Sequence, residues 1–185
     1  MTRRIYGLVF LVMLAMPAVA GAGQPTIGIS GYGGLNIPIV QDDVKSGPMF
    51  GVRVPVTLIS ILSVEPYFLT SSLGDGEEEI GGFTYTRDGF KQTGFGINAM
   101  LGSLAAGPMI HFYPYAGIGH NKLTRSGSED ISEVGYNFGF GLAATPAHAI
   151  GLHLRGGLNM VKTGDTSRKF ANATLGVSYD VSPRK

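Results

Sequence analysis

The chain has 185 residues with 14 basic and 13 acidic side chains, no cysteine, and 29 glycines beside 10 phenylalanines and 8 tyrosines, yet only 15% of it is charged. That balance suits one domain and excludes both a disulfide framework and the concentrated positive surface that nucleic acid requires. Glycine at about twice its usual share, without a collagen period and with abundant Val, Ile, Leu and Phe, is neither fibrous nor disordered and fits strands that pass close together.

The first segment reads as a secretory signal. Arg3 and Arg4 form a basic start, Ile5 to Met16 an apolar run, and Pro17 precedes the small residues Ala18 to Ala22. Cleavage after Ala20 or after Ala22 satisfies the same small-x-small pattern, and the run is short of the roughly 20 residues of a spanning helix. The expected domains are therefore a cleaved signal, 1–22, and a folded domain, 23–185. Without Arg3 and Arg4 the remainder carries 12 basic and 13 acidic residues.

Beyond the signal, alternation of period two dominates. Phe50, Val52, Val54, Val56 and Leu58 share one parity, with Gly51, Arg53, Pro55 and Thr57 on the other. The same split separates Ile110, Phe112, Pro114, Ala116 and Ile118 from His111, Tyr113, Tyr115 and Gly117. It recurs over Val134–Leu142 and Ile150–Met160. Eight strands are predicted, near 25–37, 48–59, 61–71, 92–102, 108–121, 134–144, 148–161 and 170–181. Their connections alternate in length: Pro38–Gly47, Ser72–Lys91 and Lys122–Glu133 are long and Lys162–Lys169 intermediate, whereas those near Ile59–Ile61, Gly102–Gly107 and Thr145–Ala147 are short. Long loops at one end and short turns at the other describe an all-β, antiparallel up-and-down transmembrane barrel, with both termini at the short-turn, periplasmic end. Gly and Pro interrupt the two long uncharged stretches, which favours hairpins over helices there.

The second parity is mostly Gly, Ser, Asn and Tyr, which suits the lumen of a narrow barrel whose apolar parity meets lipid. A turn centred near Ile59 would set Arg53 directly opposite Glu65, and a charge in a low-dielectric interior needs a partner, so an interior salt bridge is expected between them. Arg155 is a third lumen charge, within reach of Thr174, Gly176 and Ser178, and His111, His153 and Asn137 fall on the lumen parity too. An ion-selective constriction is the functional alternative to this structural plug.

The last strand, Thr174 to Val181, resembles the assembly signal of outer-membrane barrels, with Gly176, Tyr179 and Val181 at its marked positions. Val181 replaces the usual terminal aromatic, and four residues follow it. Pro114–Gly119, Leu62–Tyr67 and Gly139–Leu142 are likewise similar to strand phrases of the small outer-membrane β-barrel family that includes the OmpA membrane domain and OmpX. The resemblance covers essentially everything after the signal. It implies an eight-stranded barrel in a Gram-negative outer membrane, in contact with lipid, lipopolysaccharide and the assembly machinery.

No catalytic or cofactor motif accompanies the fold. The histidines His111, His120, His148 and His153 lie outside any His-x-Ser-Asn phrase like that of lipid A deacylases. Gly94-Phe95-Gly96 and Gly117-Ile118-Gly119 open no helix, as dinucleotide loops must. Without cysteine, soft-metal sites are disfavoured. Loop charges are the remaining candidates: Asp75 and Glu77–Glu79 could meet divalent cations, and Lys122, Arg125, Lys162, Arg168 and Lys169 could meet lipopolysaccharide phosphates. The expected role is structural or surface-interacting and non-enzymatic, with an OmpW-like narrow channel and a lipid-modifying enzyme as alternatives.

Overall fold

The computed structural model describes residues 26–39, 44–59, 61–102, 110–147, 149–164 and 166–181. The segment read as a signal peptide, with both cleavage points, lies outside them. The described residues form twelve β-segments: β1 (Thr26–Ile39), β2 (Val44–Lys45), β3 (Gly47–Arg53), β4 (Val56–Ile59), β5 (Leu62–Ser72), β6 (Gly74–Ile80), β7 (Phe83–Arg87), β8 (Lys91–Leu101), β9 (Ile110–Thr124), β10 (Ile131–Ala147), β11 (Ile150–Thr163) and β12 (Thr166–Asp180). No helix among them is long and apolar enough to cross a membrane.

Nine segments make one antiparallel sheet that closes on itself. The order is β12-β11-β10-β9-β8-β5-β3-β1, and β12 pairs back onto β1 from Gly28↔Asp180 to Ile39↔Lys169. β3 and β4 are two parts of one stave, interrupted at Val54-Pro55, where proline has no N–H to give the ladder. The result is a closed, eight-stranded barrel, which leaves no free sheet edge in the wall.

Orientation of the faces follows the alternation. Val54, Phe112, Phe138 and Leu152 are 37%, 61%, 42% and 44% exposed, while Arg53 is 6% exposed and faces the lumen. The apolar parity thus forms an outer belt, from Ile27 and Ile29 on β1 round to Leu175 and Val177 on β12. Hydrocarbon is the solvent that such a belt matches.

The staves extend past the expected limits at the long-loop end. β9 continues to Thr124 and β10 begins at Ile131; β11 runs to Thr163 and β12 begins at Thr166, so the 162–169 connection is a tight turn. Gly164 there has φ +63°. Within the Ser72–Lys91 connection, β6 and β7 form a hairpin joined to β2. Its two turn residues, Gly81 and Gly82, have φ of +62° and +83°, as a two-residue turn with both φ values positive requires. Lys45 Nζ lies 2.8 Å from Glu77 on this hairpin, and its hydrogen bond and charge hold the Glu77 carboxyl below its ordinary pKa.

Candidate functional site: a filled lumen

Five kinds of side chain fill the barrel in successive layers. Nearest the short turns, Ser30 Oγ lies 3.0 Å from His153 Nε2, and Ser63 Oγ donates to the carbonyl of Gly102 at 2.7 Å. Gly176 lies against the His153 ring, where a Cβ would be too close. His111 is half-buried beside Tyr113, with ring centroids 6.0 Å apart, and neither ring nitrogen has a hydrogen-bond partner among the described residues. No group of three or more metal-ligating side chains occurs among the described residues.

The next layer holds the charges. Glu65 is fully buried and accepts from Arg155 twice, Nη1 to Oε1 at 2.6 Å and Nη2 to Oε2 at 2.5 Å. Asn98 Nδ2 also donates to Glu65 Oε1, at 2.9 Å, and Arg155 Nε donates to Tyr113 Oη at 2.6 Å. Arg53 stands further off, with Nε 3.8 Å from Glu65 Oε1. Its Nη2 donates to Thr174 Oγ1 at 3.3 Å, and its guanidinium lies 3.5 Å from the centroid of the Tyr32 ring.

The register corrects one expectation. Arg53 is paired in register with Tyr67, not Glu65, because the ladder is centred one residue later, near position 60, with an irregularity between Thr57 and Ile59. The Arg53–Glu65 contact is therefore diagonal and long. Arg155 is in register with Thr174, as strand spacing implies, but its side chain crosses the lumen to Glu65 on β5 instead of staying by β12. A two-pronged guanidinium–carboxylate pair is the stronger geometry.

Above the charges the tyrosines lie across glycines of the neighbouring staves. Tyr67, Gly96 and Gly119 occupy one register row; Tyr115, Gly139 and Gly157 occupy another. A Cβ on Gly119 or Gly157 would overlap the Tyr67 or Tyr115 hydroxyl, and one on Gly51 or Gly141 would overlap the ring of Tyr32 or Tyr113. The glycine-rich parity thus makes room for rings where backbone and aromatic meet. Gly156 and Gly157 separate this effect from ordinary strand propensity. Gly157→Ala is expected to destabilise the barrel by about 1–3 kcal/mol through overpacking, read from urea unfolding in lipid vesicles. Gly156 faces outward, where a Cβ meets only Asn172 O at 4.0 Å, so Gly156→Ala should leave the midpoint unchanged or slightly raised. Equal losses at both positions would mean that Tyr115 is not the cause.

Toward the long loops, amides bridge the lumen. Asn36 Nδ2 donates to Gln92 Oε1 at 2.9 Å, and Gln92 Nε2 donates to Asn121 Oδ1 at 3.0 Å. Asn137 is half-buried in the same region. A last, apolar layer closes the mouth: Val44, Leu73, Phe90, Leu123, Val161 and Phe170 pack together, with Ile131 against them. Arg125 and Arg168 lie 3.8 and 4.3 Å from the Phe90 ring centroid. Sequence reasoning missed this cap, because its residues interrupt the lumen parity with apolar side chains near the strand tips. The alternation extended past Asn121 to Leu123 would have pointed to it.

Of the residues marked on the last strand, Gly176 is buried by the lumen and Tyr179 and Val181 are on the outer face, 57% and 46% exposed.

Among solved structures, Neisserial surface protein A is 14% identical, with 86% of this chain and 98% of that one covered and a TM-score of 0.60. Ail, the attachment invasion locus protein of Yersinia pestis, solved with the heparin analogue sucrose octasulfate, is 19% identical over 86% of this chain and 99% of its own, with a TM-score of 0.53. OprG from Pseudomonas aeruginosa is 13% identical over 88% and 99%, with a TM-score of 0.51. These likenesses concern the fold. A comparison with curated proteins finds no match. The family model described as "Outer membrane protein beta-barrel domain" matches residues 6–180, and with the closed barrel and its outer apolar belt this makes the chain a member of that outer-membrane family.

Proposed function

We propose that the protein is a sealed structural barrel of the Gram-negative outer membrane that displays its loops to the exterior, without enzymatic activity. The observation that carries this reading is the succession of side-chain layers across the lumen: the Glu65–Arg155 pair, the Asn36–Gln92–Asn121 bridge and the Phe90 cap follow one another along the axis. An eight-stranded wall leaves an interior just wide enough for such side chains. The outer end supports a display role, because the β6–β7 hairpin carries Phe83 and Tyr85 at 70% and 52% exposure. Export through a cleaved signal, insertion through the terminal strand bearing Gly176, Tyr179 and Val181, and contact of the loop-end lysines with lipopolysaccharide belong to the same proposal.

Planar-bilayer recording tests it. The wild-type barrel should show no discrete openings. Stepwise conductance that Arg53→Ala or Glu65→Ala abolishes would replace the sealed barrel with a channel gated at this layer.

A further inference from the structure

Among the described residues the buried charges of the lumen do not cancel. Arg53 and Arg155 are 6% and 2% exposed and share one carboxylate, Glu65. Arg155 takes that carboxylate in a two-pronged pair, which leaves Arg53 as surplus positive charge. The Tyr32 ring compensates part of it. Arg53 Nη1 has no hydrogen-bond partner among the described residues. A buried cation whose counter-charge is already engaged by a second guanidinium is costly, and a further negative charge beside it would offset that cost.

A cavity of about 30 Å³ adjoins Arg53, enough for one or two water-sized species. Both guanidiniums line it, and no carboxylate among the described residues does. Asn98, held by its Nδ2 donation to Glu65, lines it with an unpartnered Oδ1, and the Oδ1 atoms of Asn137 and Asn159, which also line it, have no partner among the described residues either. An amide that turns by half a rotation about its last bond presents NH2 where it presented oxygen, so Asn137 and Asn159 can both donate toward the cavity. The surplus charge, the unused donor and the two adaptable amides share one small space. We infer that this cavity is a binding site for a single monovalent anion of halide size, held by Arg53 and the amides of Asn137 and Asn159. A cation would face two guanidiniums at close range, and an oxyanion as large as gluconate does not fit the volume.

The test uses the purified chain refolded into detergent micelles in gluconate buffer, with sodium bromide replacing sodium gluconate at constant ionic strength. Unfolding of the wild type should become harder as bromide rises, the unfolding constant falling about tenfold per tenfold bromide above its dissociation constant. Asn159→Asp places a carboxylate on the cavity wall. It should be more stable than wild type in gluconate and indifferent to bromide. Arg53→Gln should also lose the dependence, and should it fail to fold, Asn159→Asp still decides. Crystals grown in bromide should show an anomalous peak within hydrogen-bond distance of Arg53 in the wild type and none in Asn159→Asp. Equal midpoints in bromide and gluconate, an unchanged bromide response in Asn159→Asp, or water alone at Arg53 in the bromide crystals would each overturn the anion site.

Discussion

Replacing Glu65 with glutamine is expected to lower the unfolding free energy of the barrel by about 3–5 kcal/mol, the cost of leaving buried charge without its partner. Two guanidiniums would then face each other across the charged layer with no carboxylate between them, and Arg155 would lose both of its 2.5–2.6 Å contacts to Glu65. The loss comes chiefly from the stranded cations. Removing carboxylate and cation together, as Glu65→Leu with Arg155→Met, should therefore recover most of it, because an apolar pair of similar volume replaces a buried ion pair at little net cost. Urea unfolding of the refolded barrel in lipid vesicles, followed by the heat-dependent shift on gels and by circular dichroism, gives both numbers. A single variant that loses less than about 1 kcal/mol would match an exposed ion pair and would contradict the buried geometry of Glu65.

The difference between Arg53 and Arg155 also shows what the sequence could and could not reveal. Strand parity placed both arginines, Glu65, His153 and Asn137 on the lumen side, since a period of two assigns a face to every residue once one face is known. Which arginine wins Glu65 depends on the distance across the closed barrel between β5 and β11, positions ninety residues apart with no local signature. The register of β3 against β5 turned on the irregularity between Thr57 and Ile59, a feature that composition does not announce. At the long-loop end, the acidic run Glu77–Glu79 has weak strand propensity and hid β6, although the Gly81-Gly82 pair between Ile80 and Phe83 is a hairpin signal. The tyrosine–glycine rows were visible only as an excess of both residue types. Their meaning required knowing that Gly139 and Gly157 stand side by side in Tyr115's row.

The solvent that meets the outer belt sets the second large effect. Leu154 is 54% exposed on β11, four residues above Ile150 at the short-turn end. At a rise of about 3.3 Å per residue and the usual strand tilt, that puts it about 10 Å up a belt about 25 Å tall, near the hydrocarbon midplane. Leu154→Arg is therefore expected to cost about 2–4 kcal/mol, and Ile150→Arg, at the rim, about 0–1 kcal/mol. In water neither change would matter, because an exposed substitution stays within about 0.5 kcal/mol of wild type. The gradient between the two positions is the informative quantity, since a general intolerance of arginine would depress both alike. Unfolding midpoints of the two variants in vesicles measure it. A flat response, with Leu154→Arg as stable as Ile150→Arg, would mean that the belt is not set in a bilayer. A steep one follows from the same alternation that sends Arg155, one residue along the strand, into the lumen to meet Glu65.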